Sequence, residues 1–186
     1  MENKKYNLGG DFSQIFNSKD YLAMINIPDE ATCILRSHLI LEEVLNLWAN
    51  KITNTKDLYA GVIVAFTVKL EIAKNLGLNK SIYTTIKKIN NIRNKFSHNK
   101  DFQLKDSTIT SLKNSVNSIE SSKPIKNCED FTITGKSPSE KNVQLIYSWK
   151  HSNNRVKFTL IFITLILKIT YLIQNEFKNR NINYTI

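Results

Sequence analysis

Apolar residues recur along this chain at helical spacing, and clusters of turn-forming residues separate the runs. Ile82, Ile86, Ile89, Ile92 and Phe96 stand four, three, three and four apart. At about 100° per residue they form one stripe on a helix from about Ser81 to Ser97. Upstream, Phe12, Ile15, Phe16, Tyr21, Leu22 and Met24 predict a short helix within 11–27, after a polar, loose N-terminus at 1–10. Pro28, Asp29 and Glu30 begin a longer helix that ends near Ile52, with proline early and acids in the first turn. Ile34, Leu35, Leu39, Ile40, Leu41, Val44, Leu45, Leu47 and Trp48 cover nearly every side of it, which predicts a central, buried helix.

A third helix is expected from Asp57 to Leu76, closed by Gly77 just past its end. The short link Leu78-Asn79-Lys80-Ser81 makes it an antiparallel neighbour of the helix that follows. Asp106 is placed to cap a fifth helix to about Ser121, with Ile109, Leu112, Val116 and Ile119 on one side. The stretch 122–139, with Pro124, Gly135 and Pro138, reads as an irregular loop; Phe131–Thr134 is at most a short extended piece, and no sheet is expected. A last helical region is expected from Glu140, bent near His151–Asn154, with its apolar part from Val156 to Arg180 and a tail at 181–186. The fold class is therefore all-α: one helical domain over 11–180, an antiparallel up-down bundle.

Composition narrows this picture. The 186 residues suffice for one domain with a core, and only five glycines and three prolines argue against barrels, sandwiches and disorder. Lysine and arginine total 26 against 16 acids, a formal charge of +10, which suits a polyanionic partner as well as a merely lysine-rich surface. Cys33 and Cys128 are far apart, the three histidines are scattered, and neither a metal site nor a cofactor is expected. Met1–Gly10 is polar and has no signal-peptide pattern, so a cytoplasmic location is expected. The uncharged run Phe158–Leu167 is about half of what a bilayer requires, and Lys168 interrupts it. This helix reads as core, with Lys157, Thr164, Lys168, Tyr171 and Asn175 as a narrow polar strip, and it is also the favoured dimer surface.

Chemistry concentrates at Ile92-Arg93-Asn94-Lys95-Phe96-Ser97-His98. Periodicity puts Arg93 within the apolar stripe, so its guanidinium points at the core or an interface and needs a partner or a task. His98, five residues on, falls about 140° away on an ideal helix. The two can work together only if the helix stops near Ser97 and His98 turns back, which Asn99 and Asp101 as turn formers would permit. An arginine fork clamps phosphate, and a histidine moves protons near neutrality. Together they suffice for metal-free RNA cleavage by the 2′-hydroxyl. One histidine per chain suggests two copies sharing a composite site. Lys87, Lys88 and Lys95 on the outward face are the candidate nucleic-acid contacts. On the long helix, Arg36 with Glu43 and His38 with Glu42 read as internal pairs. A second reading makes Glu42 or Glu43 the support for Arg93. Arg93 and His98 themselves can equally be ties that hold a helix end.

Arg93-Asn94-Lys95-Phe96-Ser97-His98 resembles the R-polar-xxx-H motif of HEPN domains. The stretches Ile34–Leu45 and Lys69–Leu78 are similar to the mannitol operon repressor-like branch of such helical proteins. The HEPN resemblance implies a homodimeric bundle with two motifs facing a cleft. It also implies metal-independent endoribonuclease activity, often in toxin–antitoxin or antiviral systems with a protein antitoxin as partner. Arg93 and His98 would be catalytic and Asn94 supporting. The repressor-like branch implies instead a non-enzymatic regulator that acts through partner proteins. No helix-turn-helix is evident, which disfavours direct DNA reading.

Overall fold

Several helices begin where a side chain closes their open backbone amides, and others end at a left-handed residue. The computed structural model describes residues 10–136 and 144–186. Asn17 accepts from the Lys19 amide and starts α1 (Ser18–Asn26); a 3₁₀ turn at Gly10–Phe12 precedes it, so the stretch expected as one helix is divided. Asp29 Oδ2 accepts from the Thr32 amide at 2.6 Å and starts α2 (Glu30–Ile52), as the proline and acids predicted. Asn79 caps α4 (Lys80–His98), and Asn153 caps α6 (Asn154–Asn179).

Three helices end in the same way. The residue past the cap takes positive φ, and the next amide bonds the carbonyl five residues back, the Schellman arrangement. Asn54 does this for α2, Gly77 for α3 (Phe66–Asn75) and Asn181 for α6. Gly77 fills the role expected of it, and the Leu78 amide bonds the Ala73 carbonyl at 2.9 Å.

The third helix starts at Phe66, not Asp57. Asp57 Oδ1 accepts from the Tyr59 amide, Asn50 Oδ1 takes the Leu58 amide, and Gly61 has φ +78°. These bonds commit 57–61 to turns, so the apolar letters before Phe66 are loop, and Ile63 is fully exposed. The fifth helix, α5 (Asp106–Asn117), is shorter than expected, and Asp106 is its first residue rather than its cap.

The other correction is a β-hairpin. Strands β1 (Thr132–Lys136) and β2 (Gln144–Ser148) pair antiparallel, with Ile133 opposite Tyr147. The expected start of the last helix at Glu140 lies outside the described residues, and 144–148 is strand. A 3₁₀ turn at Trp149–His151 then leads into α6. The fold remains all-α in character, with six helices and one small hairpin among the described residues.

Two helices form the centre. α2 touches α1, α3, α4 and α6, and α6 touches α1, α2 and α5. α6 is long and apolar enough to cross a membrane by composition, yet Phe158, Leu160, Ile161, Phe162, Leu165 and Ile169 are fully buried within the protein. Of its expected polar strip, Thr164 and Lys168 are internal and Asn175 is exposed. Lys168, 4% exposed, donates to the carbonyls of Val116, Asn117 and Ile119 at 3.0, 3.1 and 2.8 Å and so caps the C-terminus of α5. Arg155 does the same for α1 through Met24 O and Ile25 O. Positive charge at helix C-termini is favourable, and here it also satisfies carbonyls that burial would leave unpaired.

The segment read as a tail, 181–186, is pinned. Ile182 and Tyr184 pack on the core, and the Thr185 amide donates to Asp11 Oδ2 at 2.8 Å. Gly10 has φ +65°, and a Cβ there would lie 2.4 Å from Thr185 Oγ1, so only glycine lets the two segments meet.

Candidate functional site

The residues singled out in sequence separate into three environments. The first surrounds Arg93, which is half-buried on the α2 side of α4. Its Nη1 donates to Asn94 Oδ1 at 3.3 Å, and its buried Nε has no acceptor among the described residues. Its charge is felt by His38 on α2. Burial first, and then Arg93, hold the His38 imidazole below its usual value, against the hydrogen bond to Asn90 and the charge of Glu42. His38 Nε2 donates to Asn90 Oδ1 at 3.1 Å, and its ring lies on Phe66 with centroids 3.9 Å apart. A buried histidine kept neutral beside a guanidinium gives Arg93 no counter-charge.

Glu42 and Glu43 do not supply one either. Glu42 bonds Lys69 at 2.7 Å, and Lys69 also reaches Asn46 Oδ1 and sits over the Tyr59 ring. Glu43 is exposed and makes no ion pair among the described residues. Arg36, expected to face Glu43, pairs with Asp20 on α1 at 2.9 Å. The supporting role read for Glu42 and Glu43 is therefore corrected: Lys69, at 9% exposure, draws Glu42 away. Lys69 was hidden in sequence because it interrupts a run that otherwise reads as core.

The second environment is the end of α4. The helix continues through His98, and Asn99 is its cap, the Asn99 amide bonding Lys95 O at 3.0 Å. Ser97 Oγ bonds the Arg93 carbonyl and stays in register. The Asx turn in which Asn99 Oδ1 accepts from Asp101 begins after His98, not before it. The turning-back required for an Arg93–His98 pair within one chain is thus absent. His98 is exposed, and no hydrogen bond joins it to Arg93 among the described residues.

The third environment sorts the lysines. Lys87 belongs to an exposed network, donating to Tyr83 Oη at 3.2 Å while Tyr83 bonds Glu71, which also holds Lys74. Lys88 and Lys95 face elsewhere, into a groove between α4 and α5. Along α4, Lys88, Asn91, Lys95 and His98 stand three, four and three apart, one helical face. That spacing is readable in the sequence.

No group of three or more metal-ligating side chains gathers among the described residues. A comparison with protein families, with curated proteins and with solved structures finds no match to this chain.

Proposed function

We propose that the chain is a metal-independent endoribonuclease of the HEPN kind, with Arg93 from one copy and His98 from another completing a composite site and Asn94 orienting the arginine. The observation that carries this reading is the Arg93 fork: half-buried, with an Nε that has no acceptor among the described residues and only a long bond to its neighbour. Such a group is costly unless it meets an anion. Since α4 stays helical to His98, the two side chains of one copy point about 140° apart, which favours the shared site over a single-chain one. The 2′-hydroxyl of RNA attacks the adjacent phosphorus and the P–O5′ bond breaks. A 2′,3′-cyclic phosphate and a 5′-hydroxyl result. His98 takes or returns the proton, and Arg93 stabilises the phosphorane oxygens. This reading implies a homodimer, a cytoplasmic location and a protein antitoxin that masks the site.

The test is cleavage of single-stranded RNA in EDTA. Wild type cuts, and Arg93→Ala and His98→Ala each fall by at least about 10²-fold. Co-expressing the two single variants restores part of the activity, because one composite site in the mixed dimer is intact. If wild type does not cut, or the variants cut as well as wild type, the nuclease reading fails. The unbroken helix also suits a second reading, a non-enzymatic regulator resembling the mannitol operon repressor, in which Arg93 is a structural tie. Cleavage would then be absent throughout, and Arg93→Ala would lower stability.

A further inference from the structure

Six polar side chains line the groove between α4 and α5, a space of about 290 Å³: Lys88, Asn91, Lys95, Ser107, Thr108 and Ser111. Ile92 and Leu112 form its apolar floor. None of the six side chains has a hydrogen-bond or ion-pair partner among the described residues. This contrasts with Lys51, Lys69, Lys87, Lys113 and Lys168, each of which is engaged within the protein. Among the described residues the groove is lined by two cations and by no carboxylate. The nearby acid Asp106 is turned to Asn154 Nδ2 at 2.8 Å. The Lys95 ammonium lies 5.7 Å from the centroid of the Phe102 ring, a cation–π contact that leaves its protons without an oxygen partner among the described residues. Ser107 and Thr108 lie in the first turn of α5, where the cap position Lys105 makes no side-chain bond.

A set of free ammonium, hydroxyl and amide donors without an acid is complementary to phosphate oxygens. Its length matters as well. Lys88 and Lys95 are seven residues apart on one face, about 10 Å along the axis, which is too far for one phosphate and suited to successive phosphates of a strand. His98 continues the same face by one more turn.

We infer that this α4–α5 groove is a track for the phosphodiester backbone of single-stranded RNA, with Lys88 and Lys95 pairing phosphates, the Ser107, Thr108 and Ser111 hydroxyls and Asn91 bonding backbone oxygens, and His98 at the end where the strand leaves. The inference rests on the nuclease reading only for the identity of the strand. It adds where that strand lies and gives His98 a place that Arg93 does not.

The experiment uses a fluorescein-labelled 2′-O-methyl oligouridine, which keeps the phosphates and cannot be cut by its own 2′ oxygen. Anisotropy titrations are run at several salt concentrations on wild type, Lys88→Ala/Lys95→Ala and Lys80→Ala/Lys178→Ala, each with its thermal unfolding measured. Removing the groove lysines is expected to weaken binding about tenfold or more and to flatten the log–log salt slope by about 1.4, two phosphate contacts' worth for a single strand. Removing the two exposed lysines outside the groove changes binding less than twofold. Ser111→Asp, which places a carboxylate in the track, weakens binding as strongly as the lysine pair. Three results overturn the track: wild type that does not bind, groove variants that bind like wild type, or control lysines that matter as much as the groove. A wild type that binds through the groove and never cleaves unmodified RNA leaves the track standing and removes the nuclease.

Discussion

Arg155 and Lys168 on α6 and Arg93 on α4 are provided for differently. Arg155 and Lys168 end in carbonyls, two for the arginine and three for the lysine, at the C-termini of α1 and α5. Arg93 ends in a single long bond to its neighbour and a buried Nε without an acceptor. All three interrupt apolar faces, and sequence alone does not separate them. Acceptors do. A cation that carries structure is surrounded by oxygens from its own chain, whereas one that awaits an external anion is not.

The sharpest way to break this contrast is to remove the charge and keep the stem. Lys168→Met leaves three carbonyls without a donor in a closed interior, and Arg155→Met leaves two; each is expected to cost about 3 kcal/mol in urea unfolding. Arg93→Met is expected to stay within about 0.5 kcal/mol of wild type or to stabilise, because little within the chain depends on its fork. Equal losses at Arg93 and Arg155 would make Arg93 a structural tie and remove the basis of the proposed site.

Glu42→Ala tests the neighbouring pair. It leaves the Lys69 ammonium without a counter-charge, holding only the Asn46 oxygen and the Tyr59 ring, and a loss of about 2–3 kcal/mol is expected, reduced because Glu42 is 29% exposed. Lys69→Met/Glu42→Leu together should recover most of that loss. A double variant as unstable as the single one would show that the pair itself, not the uncompensated charge, holds α3 to α2.

A smaller effect comes from His38. Its folded value lies below the usual 6.5, chiefly through burial, so as pH falls the unfolded chain takes up the proton first. The stability present above about pH 6.5 should therefore decline as the solution is acidified through that value toward the folded one. Unfolding midpoints measured across this range should show the decline, and His38→Gln should flatten it. An unchanged slope in the variant would move the effect to the carboxylates.

Much of the architecture was legible. The stripe on α4, the start of α2 at Asp29 and the closure of α3 at Gly77 follow from local rules and hold. What escaped depends on groups distant in sequence. The strand Gln144–Ser148 is defined by its partner at Thr132–Lys136, and five residues alone carry little period. The Asp57 start failed because one carboxylate can cap a helix or close a turn, and the Asn50 side chain decides for the turn. At the site, the angle between Arg93 and His98 was readable, but the residue at which α4 stops was not. One more helical residue gives His98 to the lysine face.

The clasp between Asp11 and Thr185 has a kinetic consequence. These residues are 174 apart in sequence. In an unfolded chain, closing such a loop costs about 4–5 kcal/mol in entropy, more than a few hydrogen bonds return. The clasp therefore forms after the helices have brought the ends together, when that cost has already been met. Lys51 then grips Asp11 Oδ2 at 2.8 Å and the Asn183 carbonyl at 3.1 Å, fastening α2 to both segments. Asp11→Ala should speed unfolding severalfold and leave the folding rate nearly unchanged in stopped-flow chevrons. The meeting of the two segments thus acts as a brake on unfolding rather than a guide to folding.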